Sequence, residues 1–141
     1  MPIKNKKETV RRWVIGIWQN CDFRLMEELA SEDYIYETPG RGELSNELFR
    51  DFVTKVQSGF QDFNITIDFQ IQEGGIVVTR GTNRGTHRAS FFGIDPTGNS
   101  IEASWVLITR FRDDLILKEC EIYDVFATLL QLGAIESPFL L

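Results

Sequence analysis

The sequence is poor in the residues that build metal and redox centres. It has one histidine, His87, and two cysteines, Cys21 and Cys120. A single histidine excludes a multi-histidine metal site. Two distant cysteines with no CxxC or histidine spacing exclude the usual zinc patterns and do not imply a disulfide. The phosphate-binding loop, the dinucleotide fingerprint and the Ser/His/Asp nucleophile motifs are all missing, so neither a metal nor a cofactor is expected. No run approaches the ~18 apolar residues of a membrane span, and the amino-terminal MPIKNKKETV has no apolar stretch of signal-peptide length. These absences predict a soluble protein of a reducing cytoplasm, with both cysteines as small core residues. Positive charge is also short: 15 Lys and Arg stand against 21 Asp and Glu, a net charge of -6. An acidic domain repels phosphates, which argues against a nucleic-acid partner. The one basic run, Lys4, Lys6, Lys7, Arg11 and Arg12, reads as the solvated face of a first helix.

Aromatic residues are plentiful, with 11 Phe, 3 Trp and 3 Tyr in 141 residues. That length fits one domain, 1–141, and rings in such number fill a core or line a ligand pocket. Val10, Trp13, Val14, Ile17, Trp18 and Cys21 recur at helical steps, and Asn20 and Asp22 end that helix. A shorter stripe follows at Phe23, Met26, Leu29 and Ala30, then a short strand at Tyr34–Tyr36. Ser45 is placed to cap a third helix with Leu48, Phe49, Phe52, Val53 and Val56 on one side.

From Phe63 the period changes to two, and Phe63, Ile65, Ile67, Phe69 and Ile71 alternate with polar residues. Further strands are predicted at Ile76–His87, Ser100–Phe111 and Ile116–Tyr123, with turns at Glu73–Gly75, Asp95–Gly98 and Asp113–Asp114. Gly81 and Gly85 read as bulges or bends. A short closing helix carries Val125, Phe126, Leu129, Leu130 and Leu132, with Gly133 beyond its end. Helices first and a strand meander after them predict an α+β domain, the helices on one side of a bent antiparallel sheet. The apolar tail Pro138–Leu141 is expected to dock on this chain or on a second one.

Several of these segments form an ordered set. Arg84-Gly85-Thr86-His87 is followed by Phe92-Gly93-Ile94-Asp95-Pro96-Thr97-Gly98. Thr109-Arg110-Phe111 and the Asp113-Asp114 turn precede a strand ending in Tyr123-Asp124, which runs into Leu129-Leu130-Gln131-Leu132-Gly133-Ala134. Over roughly residues 8 to 135 this pattern resembles the SnoaL-like polyketide cyclase family. The resemblance implies the conical α+β barrel of the nuclear transport factor 2-like group, its helices packed on a strongly curved, mostly antiparallel sheet. It also implies a small oligomer, here a homodimer, with a cofactor-free pocket for a small apolar, oxygen-bearing ligand. The chemistry it implies is an aldol-type ring closure with an Asp as acid/base, at the position of Asp124. The chain departs from the pattern at Ala89-Ser90, at Gly75, at Cys120 where a Trp is usual, and at Tyr36 where a His is frequent. A thiol in place of a ring at Cys120 should enlarge the pocket.

Ring closure needs one positioned carboxylate, which takes a proton from carbon and later returns it to oxygen. It also needs a hydrogen-bond donor beside the enolate oxygen. On the last strand Ile116, Cys120, Ile122 and Asp124 share one parity, so Cys120 and Ile122 are expected to line the pocket with Asp124 at the end of the row. Lys118 shares that parity and fits only at a rim or after a bulge. Asp124 is equally suited to cap the closing helix. His87 is the candidate supporting donor, or a half-exposed strand-end histidine. Trp105 is pocket wall or core, and Tyr36 could offer a phenolic hydroxyl. Glu119 and Glu121, of opposite parity, are expected to point outward.

Overall fold

The computed structural model describes residues 5–137; the tail Pro138–Leu141, expected to dock, lies outside them. Helix α1 (Lys6–Trp13) opens with Asn5, whose side chain accepts from the Glu8 amide. It runs on into a π-helical stretch, Val14–Gln19, and a short α2 (Leu25–Leu29) follows. Cys21, at a φ of 53°, takes the left-handed turn that ends the π stretch. Strands β1 (Ala30–Thr38) and β2 (Gly42–Leu44) come next, then α3 (Asn46–Ser58), capped by Ser45 as expected. The meander β3 (Asn64–Glu73), β4 (Ile76–Thr86), β5 (Ser100–Arg112) and β6 (Leu115–Tyr123) leads into α4 (Val125–Gln131). Gly133, just past α4, has a φ of 73°, a conformation that favours glycine.

The strands form one sheet in the order β2-β1-β6-β5-β4-β3. All neighbours are antiparallel except β1 and β6. The helices cover the inner face. Trp13, Val14, Ile17, Phe49 and Val53 are buried there against Tyr34, Val77, Leu107 and Ile116. Of the basic run, Lys6 faces Asp114 and Arg12 binds Glu28, as fits the outside of a helix.

The two glycines read as bends do something else. Gly81 and Gly85 pair without interruption with Trp105 and Ile101 of β5. A Cβ at Gly81 would run into the Trp105 ring, and one at Gly85 into Phe60. They are glycine so that rings can lie flat on the strand. The register shifts at three places. β1 slips against β6 between Ala30 and Ile35. A bulge falls in β3 between Ile67 and Phe69, opposite Gly81 and Arg80. A second bulge falls in β6, where Arg110 pairs with Lys118 but Phe111 pairs with Ile116.

That second bulge reverses the expected facing of the last strand. Leu117 is the extra residue, so Ile116 and Glu119 both point inward although they are three positions apart. Glu119 is fully buried and Glu121 is 9% exposed, whereas Ile122 is 54% exposed. Cys120 and Ile122 therefore belong to the outer face, and the two glutamates to the inner one. Asp124 is exposed as well. The misfit of Lys118 in an apolar row is the trace this bulge leaves in the sequence.

Candidate active site

The curved sheet, α3 and α4 enclose a cavity of about 300 Å³. Its walls are Trp18 from the π stretch, Phe52 and Val56 from α3, Val125, Thr128 and Leu129 from α4, and Phe91, Phe92 and Ile94 from the loop after β4. π-helical turns recur at functional sites, and here they carry Trp18 to the wall. Helix α4 is fastened over the cavity by Gln131. Its side chain donates to the Glu102 carbonyl at 2.9 Å and accepts from the Glu102 amide at 2.6 Å.

Few polar groups reach into this apolar space. Tyr36 and Thr38 come from β1, Arg41 from the turn between β1 and β2, Asn83 from β4, and Glu121 and Tyr123 from β6. The Tyr123 hydroxyl is engaged with Thr128 at 2.6 Å. The Trp105 indole donates to Asn83 Oδ1 at 2.7 Å. An indole N–H can only donate, so it fixes the amide with its oxygen toward Trp105 and leaves the Asn83 NH₂ as the free donor. Tyr36 Oη is buried and makes no well-formed hydrogen bond. It lies near enough to the Glu121 carboxyl for each to alter the other's proton affinity. Carboxyl, carboxamide and phenol thus line one cavity. A void of about 10 Å³ adjoins them, walled by Val14, Trp105, Leu107 and Glu121 among others. That is about the room one water needs.

The two glutamates differ in surroundings. Glu119 accepts from Tyr34 Oη at 2.9 Å and from Thr109 Oγ1 at 2.7 Å. Burial raises its pKa to about 7, and those hydroxyls restrain the rise by stabilising the anion. Glu121 has no such pair of donors. Burial, and then the negative charge of Glu119, push it up to about 8, with Tyr36 opposing. The two hydroxyl donors thus favour the anion on Glu119, and that charge favours the protonated form of Glu121. Burial also raises the Tyr36 and Tyr123 phenols, so both stay protonated.

Of the residues singled out from sequence, Tyr36 lines the cavity and Trp105 lines the adjoining void. Trp105 is 5% exposed, so it is core that also orients Asn83. Cys120 and Ile122 line neither space, because the bulge turns them outward. Asp124 is likewise absent from the walls. Its Oδ1 accepts from the Ala127 amide at 2.9 Å, the bond of a helix N-cap. His87 is fully buried rather than half exposed. Its Nδ1 accepts from the Thr97 amide at 3.1 Å, which puts the ring proton on Nε2. It packs between Phe60 and Phe91, pins the Pro96-Thr97-Gly98 turn, and makes no hydrogen bond to Asp124. Glu121, Asn83 and Arg41 went unrecognised in the sequence as site residues. Strand parity assigns Glu121 to the wrong face, Asn83 lies on a strand whose facing was not read, and Arg41 sits in a turn with no periodicity to read.

No helix among the described residues is long and apolar enough to cross a membrane. The family model of the SnoaL-like polyketide cyclases matches residues 8–132. Among curated proteins none matches this sequence. Solved structures do. IdmH from Streptomyces antibioticus, described as a candidate polyketide cyclase, is 27% identical with a TM-score of 0.81, over 92% of this chain and 99% of its own. A candidate SnoaL-like polyketide cyclase from Jannaschia sp. CCS1 is 17% identical with a TM-score of 0.83, over 96% and 100%. A Catenulispora acidiphila protein with the ketosteroid isomerase-like fold is 16% identical with a TM-score of 0.72, over 89% and 92%. The last two likenesses concern the fold alone.

Proposed function

The chain belongs to the SnoaL-like polyketide cyclase family, and from that premise we propose that it is a cofactor-independent acid/base enzyme that forms and traps an enolate in its cavity. The observation that carries this reading is Glu121, a carboxyl in an apolar cavity beside two donors, Asn83 and Tyr36. Ionised Glu121 takes a proton from the carbon next to a substrate carbonyl. The Asn83 NH₂ and the Tyr36 O–H hold the enolate oxygen. The enolate carbon attacks a second carbonyl of the same molecule and forms the ring bond. Glu121 then returns its proton to the new alkoxide, so acid and base are one residue. A carboxyl with a pKa near the working pH suits both halves of the cycle. The walls fold a flexible chain so that the two carbons meet. The substrate class is a small carbonyl-bearing apolar molecule, polyketide-like as the family's description suggests.

The test is exchange of the α-protons of 2-tetralone for deuterium, followed by NMR. The expected result is acceleration by the wild type and a loss of roughly 10²–10⁴-fold in Glu121→Gln. Asp124→Ala should keep the rate and lose about 1 kcal/mol of stability, as loss of a cap does. The reverse result, with Asp124 essential and Glu121 dispensable, would return the acid/base role to the expected aspartate. A wild type that binds the ketone without exchange favours a ligand-binding module of the same fold.

The homodimer expectation also gains support. Strand pairing sets Phe69, Arg80, Val106 and Ile122 in one row across the sheet, and Ile71, Val78, Ile108 and Cys120 in the next. These lie on the outer face, and Phe69, Ile71 and Ile122 are each more than half exposed. An apolar face of this kind suits a second copy of the chain.

A further inference from the structure

Only two charged side chains among the described residues line the cavity, Glu121 and Arg41. Arg41 sits in the turn between β1 and β2, flanked by Gly40 at a φ of 86° and Gly42 at 74°. Its guanidinium carbon lies 4.7 Å from the Phe52 ring centre and 4.9 Å from that of Phe92. Stacking on rings uses the faces of the guanidinium and leaves the N–H donors along its edge available.

Two further features single this cation out. The first is that Arg41 forms no ion pair among the described residues, although the chain is acidic and Glu37 and Glu43 are near it in sequence. Both acids are taken by Lys118, at 3.5 Å each. The second is the construction of its seat. Phe92 and Gly93 form the middle of a tight turn closed by reciprocal bonds between Phe91 and Ile94, of 3.0 and 2.9 Å. Both central residues have positive φ, 45° and 82°. That conformation is costly for a residue with a bulky side chain. The cost is met at the position that sets a ring beside Phe52 and under the guanidinium.

We propose that Arg41, held by Phe52 and Phe92, is the anchor for an anionic group on the ligand, so that the substrate is an apolar carbonyl compound ending in a carboxylate. This rests on, and deepens, the reading of the cavity as a carbonyl site. The carboxylate docks in the fork of Arg41. The apolar body runs along Phe52, Phe92 and Trp18, and the reacting carbonyl lies toward Asn83 and Glu121. A cation at the entry turn and an acid on β6 give the ligand one direction of entry.

The test compares binding of 2-naphthoate and its uncharged methyl ester by calorimetry. The protein has a net charge of -6, so unspecific electrostatics favour the ester, and preference for the acid reports a local cation. Hydrogen bonds to charged groups contribute ~1.5–3 kcal/mol, so the wild type should bind naphthoate about 10-fold or more tightly than the ester. Arg41→Gln should abolish that preference, bringing the two affinities within about 2-fold of each other. Equal affinities in the wild type, no measurable naphthoate binding, or a preference that survives Arg41→Gln would each overturn the proposal. Glu121→Gln separates it from the catalytic reading. If Glu121→Gln still exchanges α-protons but acid preference remains, the anion site stands and the base is wrong. If exchange is lost and the wild type shows no acid preference, the base stands and the anion site is wrong.

Discussion

At the scale of the residue, the protein turns on two glutamates separated by one position. Glu119 and Glu121 have the same chemistry and the same strand face, yet the surroundings give them different work. Two hydroxyl donors make Glu119 the better anion, and that anion raises Glu121. If ionised Glu121 is the base, as proposed, activity should rise with pH through about 8, the value to which burial and its neighbour push it. Glu119→Gln removes the neighbouring charge, so the same rise should occur at lower pH. A kcat/KM profile of both proteins checks this. A midpoint unmoved by Glu119→Gln would mean that the two carboxyls do not share a field. The shift, rather than the loss of activity, is the informative readout, because a destabilised core lowers rates without moving a midpoint.

At the scale of the element, the site depends on where backbone irregularities fall. Gly81 lets the Trp105 ring lie on β4, and that ring orients Asn83. Gly81→Ala should cost ~1–3 kcal/mol through overpacking. It should also lower enolate formation beyond what stability explains, by turning the amide. Urea unfolding and the exchange rate of the folded protein measure the two effects, and a variant with normal rate and normal stability would refute the link. Helix α4 is a separate unit held by the Gln131 clasp on Glu102. Gln131→Ala should raise amide hydrogen exchange of Val125–Gln131 about tenfold while β4 and β5 stay protected. Uniform loss of protection would show instead that α4 is integral to the core. Two motifs have such fastening roles: the glutamine of Gln131-Leu132-Gly133 holds Glu102, and His87 holds the turn that follows it. Each motif proves to be a fastening rather than a reactive group.

At the scale of the whole molecule, the sheet has two apolar faces with different purposes. The inner one closes on the helices and the cavity. The outer one carries the rows Phe69–Ile122 and Ile71–Cys120. If a second copy covers it, the wild type should sediment as a dimer at micromolar concentration and Ile122→Glu as a monomer with an intact fold. A monomeric wild type would leave the outer face as ordinary surface. Cys120 belongs to this outer face, so its small side chain shapes that surface rather than the cavity volume.

The sequence by itself determined the order and kind of the elements. A helical period in Val10–Cys21, alternation from Phe63 onward, and a serine and a glycine at helix ends are local signals, and local interactions obey them. It also determined the family, because the turn and clasp motifs are contiguous. The tertiary structure alone decided which carboxylate meets the cavity. One extra residue, Leu117, inverts every later side chain of β6, and strict alternation cannot register an insertion that strand pairing absorbs. The same inversion moved Cys120 and Ile122 outward and left Asp124 as a cap. Arg41, Phe52 and Asn83 come together only because a curved sheet brings a turn, a helix and a strand to one hollow, and no spacing along the chain encodes that meeting.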